Sequence, residues 1–266
     1  MSDGLNINTT RFDSELARMA VTSKRELGVL ARESMKGAMT GVIEITPPAY
    51  ILSGGSEVVI RGDAKAHGRA LVKQDITSIY GTSSQAYDEI KQTHPFMAKA
   101  FWRHLKDGET QRASDIALNV IGKGVYAFDD GQTHRNLKRG RARGRARQKL
   151  VYTFEGDLLR EYISDVQARV GWLAAGWNEA AGHLGIKPPE WIWKHHAPGA
   201  VRIIENEAGI RITATNAVQF ASAIKDMERR VQYALDAQAD AMKRRVDSFL
   251  AKRFKLTGMQ VAAITG

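Results

Sequence analysis

The stretch from Asn216 to Arg253, NAVQFASAIKDMERRVQYALDAQADAMKRRVDSFLAKR, decides the fold. Phe220, Ile224, Met227, Val231, Leu235, Met242, Val246 and Phe249 form one apolar stripe along it. Eight turns span the 29 residues from Phe220 to Phe249, about 3.6 per turn, the period of a straight α-helix laid on a core, not the 3.5 of a left-handed coiled coil. A second amphipathic helix is expected from Arg11 to about Gly41, carried by Phe12, Leu16, Met19, Ala20, Leu27, Leu30 and Ala38. Thr10 or Asp13 can cap its start. Thr46-Pro47-Pro48 stops it, because proline has no backbone donor and pushes the residue before it out of the helical region.

Between these helices the periodicity changes several times. Val58-Val59-Ile60 is a strand candidate inside the Gly/Ser-punctuated run Ile51 to Gly62. Ala64 to Tyr80 reads as a helix, and Ser84 to Lys106 as helical with a break at Pro95. Val125 to Phe128 and Leu150 to Phe154 read as strands enclosing a polar, basic segment, which predicts a long β-hairpin arm with a basic tip. Leu158 to Leu184 is expected as one helix bearing Trp172 and Trp177, ended by Gly185, Pro188 and Pro189. Val201 to Asn206 and Gly209 to Thr215 look like two strands around a turn. The fold class is therefore α+β: a small antiparallel sheet flanked by long helices, with a projecting basic β-hairpin arm. Residues 1–94 and 155–266 are read as one body, and 95–154 as an insertion carrying the arm over about 124–154.

The net charge of +10 is concentrated in one place. Lys138 to Lys149 holds seven cations and no acid; the rest of the chain has 32 basic residues against 29 acidic, a balance of +3. That distribution argues for a local anionic contact, not a globally basic coat. Within the run, Arg139, Arg141, Arg143, Arg145 and Arg147 alternate with Gly and Ala. An extended backbone would place all five guanidiniums on one face, roughly 6–7 Å apart. That spacing suits successive phosphates along a strand, whereas a helix would scatter the arginines around its circumference. Lys138, these five arginines and Lys149 are the candidate contact residues, for DNA phosphate or for an acidic neighbouring subunit. A solvated basic loop is the bland alternative. No base specificity follows from phosphate contacts.

Other motifs weigh against catalysis. The chain has no cysteine, which excludes disulfides, thiolate metal sites and cysteine nucleophiles. Ile121-Gly122-Lys123-Gly124 fails as a phosphate loop, because residue 117 is Ala and Gly124 stands where Ser or Thr is needed. His195-His196 lack a carboxylate at ligand spacing, so a packed or exposed loop is the better reading. No nucleophile elbow, zinc-protease motif or paired-acid pattern is present. The expectation is a non-enzyme without cofactor or metal. Trp172 and Trp177 are expected in the core, and Trp191 and Trp193 as loop packing or intersubunit anchors. No secretory leader and no apolar run of membrane-spanning length are seen in the sequence.

Several segments together resemble the tail-completion or head–tail joining family of long-tailed bacteriophages. These are the helix beginning Arg11-Phe12-Asp13 and running into Thr46-Pro47-Pro48, the segment Asp63 to Tyr80, and Val170-Gly171-Trp172-Leu173-Ala174-Ala175-Gly176-Trp177. Pro189-Glu190-Trp191-Ile192 and the strand pair followed by the long helix to Arg253 complete the set. The order of segments carries the resemblance, over about two thirds of the chain; residues from about Pro95 to Phe154 match less well. The resemblance implies a virion protein, made in the host cytoplasm, that forms a homo-oligomeric ring, six-fold by analogy. Its implied partners are further copies of itself, a portal- or adaptor-side connector, the tail tube protein and genomic DNA in the channel, with no membrane. It carries over no catalytic residues. A minor tail protein elsewhere on the tail, or a DNA-binding accessory protein acting through Arg139 to Arg147, are the rival readings.

Overall fold

The computed structural model describes residues 7–23, 27–48, 63–142, 151–206, 209–219, 221, 224 and 226–254. They are mostly helical with a few short strands, and fold as two compact units. Unit 1 comprises Met1–His67 with Val170–Gly266, and unit 2 comprises Gly68–Arg169.

Unit 1 is built on α1 (Thr10–Ser23), α2 (Leu27–Ile45) and α12 (Met227–Phe254). The single helix expected from Arg11 to Gly41 is two helices. Thr22 and Ser23 turn their hydroxyls back onto the Arg18 and Met19 carbonyls at the end of α1, a local bond that competes with helix continuation. α2 then adds Leu30, Ala31 and Ala38 to the cluster that holds Phe12 and Leu16 of α1. On the α12 side, Leu235, Ala239 and Met242 complete that cluster. Arg11 pairs with Asp240 and Arg18 with Asp247 at 2.9 Å. The partners climb both helices together, so α1 and α12 run parallel. Gly37 of α2 lies against Gln238, and Gly41 against Ala234, so α2 runs antiparallel to α12. A Cβ on Gly41 would meet the Ala234 Cβ at 3.3 Å, so the two helices are closely packed here. Gly41→Val is expected to cost about 1–3 kcal/mol by overpacking, read as a lower midpoint in urea denaturation.

α12 starts eleven residues after the expected Asn216. The Asn216 Oδ1 accepts the Val218 N–H at 3.1 Å, and the Ala217 N–H bonds the Pro198 carbonyl at 3.0 Å, so the chain is tied to the base of the hairpin before the helix begins. Arg230, 7 % exposed, bonds Asp226 and the Ile45 carbonyl. It thereby satisfies a backbone acceptor at the end of α2.

The second core of unit 1 lies under the antiparallel hairpin β4 (Gly199–Asn206) and β5 (Gly209–Asn216), paired in register from Gly199↔Asn216 to Asn206↔Gly209. Both strands fall where the sequence places them. Beneath them pack Met39, Val42, Ile43 and Ile45 of α2 with Leu173, Ala174, Trp177, Ala181, Ile192 and Met227. The expected helix Leu158 to Leu184 is broken into α8 (Gly156–Ala168), α9 (Trp172–Ala175) and α10 (Asn178–His183), followed by α11 (Glu190–Trp193). Gly171 makes the first break. Its φ of +103° suits glycine alone, and any Cβ would sit 2.7 Å from the Trp191 carbonyl and ring.

Unit 2 contains a three-stranded sheet of β1 (Tyr80–Thr82), β2 (Val125–Tyr126) and β3 (Val151–Thr153), in the order β1-β3-β2. All pairings are parallel, with Tyr80↔Val151 on one side and Val125↔Tyr152 on the other. This corrects the expected hairpin arm: the two strands are there, but parallel neighbours need a crossover, and a helix supplies it. α3 (Ala64–Thr77), which begins just before the unit boundary, precedes β1. α4 (Ser83–Thr93), α5 (Pro95–Lys106) and α6 (Thr110–Ile121) connect β1 to β2, and α7 (Gln132–Ala142) connects β2 to β3. Pro95 opens α5, as its position in the sequence suggests. Because β1 pairs with β3, the inner unit is wider than the expected insertion 95–154 and takes in β1 and α8. Val58-Val59-Ile60 lies outside the described residues. Among the described residues no helix is long and apolar enough to cross a membrane.

Candidate functional site

The basic run leaves from α7, and α7 is fastened at its N-terminal end. Asp129 does most of this. Its carboxylate accepts the Gly131 N–H at 3.1 Å, the Thr133 N–H at 2.8 Å, the Thr133 hydroxyl and the Tyr80 hydroxyl. The two backbone N–H groups are donors that a helix start leaves unpaired. Burial alone would raise the Asp129 carboxyl, but the bonds from Thr133, Tyr80 and Gly131 outweigh it and hold it below the ordinary carboxylate value. Burial and the bond to Asp129 push the Tyr80 phenol well above its usual range.

One residue further on, His134 is 5 % exposed. Its Nε2 lies 3.0 Å from Asp75 of α3, its Nδ1 lies 2.9 Å from the Tyr162 hydroxyl of α8, and its backbone N–H donates to Tyr80 of β1 at 3.2 Å. Phe128 packs edge-on to Tyr80 with ring centres 5.2 Å apart, and its N–H donates to Glu155 at 2.7 Å. Three elements, α3, β1 and α8, thus converge on two turns of chain. Asp129→Ala is expected to cost about 2 kcal/mol, at the upper end for a lost helix cap. The readout is faster proteolytic cutting between Gln132 and Ala142. Because the folded carboxyl is depressed, the native link contributes fully above the unfolded value near pH ~3.9. It is lost as pH falls below that.

From this anchor α7 carries Lys138, Arg139 and Arg141 on its last turns. Residues 139–142 are helical, so the extended backbone expected for the five-arginine ladder does not begin at Arg139. Arg143, Arg145, Arg147 and Lys149 lie outside the described residues. The structure places the beginning of the candidate set at the end of α7.

The Gly122-Lys123-Gly124 segment has a structural role. Gly122, at φ +68°, ends α6. Lys123 donates to Glu89 at 2.8 Å and lies 5.8 Å over the Tyr152 ring, and the Tyr152 hydroxyl donates to Glu89. Burial raises the Glu89 carboxyl, and Lys123 and Tyr152 more than reverse it, leaving it lowered.

In unit 1, Trp177 is buried at 6 % exposure, with its indole N–H on the Thr46 hydroxyl at 3.2 Å. Trp172, expected in the core with it, is instead 37 % exposed and packs edge-on to the His195 ring at 5.9 Å. The break at Gly171 puts it at a helix start, so the helical spacing from Trp177 does not hold. Trp191 packs on the second core, and Trp193 stands 52 % exposed. Asn178 donates to the carbonyls of Ile192 and His195, fixing the turn that displays Trp193. His195 Nε2 faces the Val170 carbonyl at 3.1 Å. Among the described residues no group of three or more His, Asp or Glu could hold a metal.

Sequence reasoning missed the fastening of α7. A local signal existed in Asp129-Asp130-Gly131-Gln132-Thr133, which has the form of an Asx turn leading into a helix start. No family model matches the chain, and no curated protein or solved structure matches it either.

Proposed function

We propose that the chain is a structural protein of a tailed-phage virion, a subunit of a neck or tail-completion ring between tail tube and head-side connector, and not an enzyme. One observation carries the reading. Of the segments that resemble the head–tail joining family, α1–α2, the Gly171–Trp177 and Glu190–Trp193 stretches, the β4–β5 hairpin and α12 fold together as unit 1, while most of Asp63 to Tyr80 falls in unit 2. Residues 95–154, which resemble it least, fall inside unit 2. A ring suits this work because one heterologous interface, repeated, closes on itself, with six-fold closure the first choice. Trp193, and Trp191 behind it, would anchor the neighbouring copy, since exposed tryptophans supply much of an interface's binding energy. The basic run would meet DNA in the channel or the acidic face of an adjacent ring.

Quantitative mass spectrometry of purified particles tests this. The chain is expected at a fixed ratio to the portal subunit, and a chain present in infected cells but missing from particles overturns the reading. The isolated subunit is expected to sediment as a monomer at micromolar concentration and to close its ring only on a partner. A stable ring of the pure protein would contradict that. The second reading, a DNA-binding accessory protein, is favoured by the seven-cation run alone. It requires tight duplex binding by the free subunit with a steep salt slope.

A further inference from the structure

We propose that the tip of the helical hairpin formed by α4 and α5 inserts into an anionic lipid surface. The proposal goes beyond the ring reading and does not rest on it. α4 and α5 are joined by His94 alone, and the hairpin is closed behind that corner. The Tyr87 and Trp102 rings, from opposite sides of His94, lie 5.4 Å apart. Ala86 and Ile90 of α4 are buried in one cluster with Ala98 and Phe101 of α5. Beyond this base, every residue from Lys91 to Met97 is exposed, so the corner stands clear of the cluster. Phe96 is 86 % exposed and Met97 39 %. Pro95 precedes them and fixes the first turn of α5.

The chemistry is layered from the tip. Pro95, Phe96 and Met97 are outermost. Lys99 stands one turn behind Phe96 on α5, about 4.5 Å along the axis. Lys91 stands one turn behind the corner on α4, with its Nζ 5.8 Å over the Tyr87 ring. Arg103 follows Lys99 on the exposed face of α5. The nearest acids in the sequence are Asp88 and Glu89 on one side and Asp107 on the other. Asp88 is about 9 Å behind the corner and Asp107 about 16 Å behind Phe96, at 1.5 Å per residue. Glu89 is held by Lys123 and Tyr152. Scattered single apolar residues on a surface need no explanation, but here a phenyl ring and a thioether stand side by side at a projecting corner. Apolar groups outermost, cations one turn behind and carboxylates set further back is the order that suits a lipid surface. The ring and thioether enter the acyl boundary while the cations stay at phosphate depth. A nucleic-acid strand would instead take its cations beside the stacking ring. The contact is with a surface and is not a span.

The chain has no cysteine, so Met97→Cys carries a single environment-sensitive fluorophore at the tip. Gln111→Cys, exposed at the start of α6, carries it at the far end of α5. Each labelled full chain is mixed with vesicles of phosphatidylglycerol and phosphatidylcholine in equal parts. The label at position 97 is expected to shift to the blue and to be quenched by spin labels on the acyl chains, and the label at 111 is expected to do neither. This separates insertion from adsorption through the basic run, which would hold the protein at the surface without burying position 97. In vesicle flotation, Phe96→Ser is expected to weaken binding about tenfold, from one phenyl ring lost to the apolar phase. Lys99→Gln is expected to weaken it about fivefold, from one cation near an anionic surface. Both positions are exposed, and an unchanged melting curve establishes that the variants fold. A label at 97 that stays in water overturns the proposal, as does Phe96→Ser binding within twofold of the parent. Equal insertion into pure phosphatidylcholine overturns the assignment to an anionic surface. A blue shift without vesicles that grows with protein concentration shows the tip docking on a second copy and overturns the lipid contact. The same shift on adding oligodeoxythymidylate overturns it in favour of nucleic acid. Absence of the chain from virions would defeat the ring reading and leave the vesicle result standing.

Discussion

Met242→Asp is expected to unfold the three-helix part of unit 1. Met242 is fully buried, in a cluster with Phe12, Leu16, Leu30, Ala31, Leu235 and Ala239. Aspartate removes most of that side chain's volume, which alone costs about 2–5 kcal/mol. It also places a carboxylate where no donor waits, and burying an unpaired charge adds several more. A domain has only about 5–15 kcal/mol in total. The penalty depends on pH in a definite direction. Desolvation raises the new carboxyl's folded value above its unfolded one near ~3.9. The protonated form is therefore tolerated best, and stability falls as pH rises from about 4 toward the raised value. Met242→Leu keeps volume and polarity and is expected to cost less than about 1.5 kcal/mol. The comparison is made by helical circular dichroism on heating. A soluble Met242→Asp protein melting within a few degrees of the parent would refute the placement of this core.

The same helix marks how much of the fold was legible. Leu235, Met242 and Val246 are buried as their spacing demands, yet the stripe skips Ala239, which is fully buried between them. Alanine fills the closest part of the packing and carries almost no signal in a hydrophobicity pattern. Periodicity also says nothing of where a helix is interrupted, if both pieces bury the same face. α1 and α2 share one cluster, so Phe12, Leu16 and Leu30 read as a single stripe across a chain reversal. The segment read as one helix from Leu158 to Leu184 is interrupted at Gly171. Its positive φ and its contact with Trp191 are tertiary facts, invisible until Glu190–Trp193 folds back over it. β4 and β5 were legible because their pairing is local and in register around a short turn. β2 and β3 were legible as strands but not in direction: two or three residues of strand look the same whether the connection is a hairpin or a crossover.

The candidate site divides along the same line. The arginine run needs only composition to be seen. What holds its base does not. Asp75, Tyr80, Asp129, His134 and Tyr162 come from five separate points in the chain, and each is individually an ordinary polar residue. Only their convergence at the start of α7 shows that the run departs from a fastened helix and not from the tip of a flexible arm. Exposure corrected the tryptophans in the same way, separating Trp177 from Trp172 although both lie in one short motif.

Changing Arg141, Arg143 and Arg145 together to Ser is expected to give particles that assemble but lose their DNA on heating. The substitution removes three of seven cations and leaves the fastening of α7 at Asp129 and His134 intact, so unit 2 is expected to melt as before. In a ring the loss repeats with every copy, and phosphate contacts sum along the strand. Genome release, followed by a DNA-binding dye during a temperature ramp, is therefore expected several degrees earlier than in the parent particle. If the run instead clips an acidic neighbour through guanidinium–carboxylate forks, heads and tails accumulate unjoined in sucrose gradients, and the joined particles that do form release DNA normally. If neither changes, the run is a solvated loop and the DNA contact is refuted. Asp129→Ala separates position from charge. It keeps all seven cations but frees the helix that presents them. A contact that depends on where α7 places the run is expected to weaken in this variant too, whereas one driven by net charge alone would not respond.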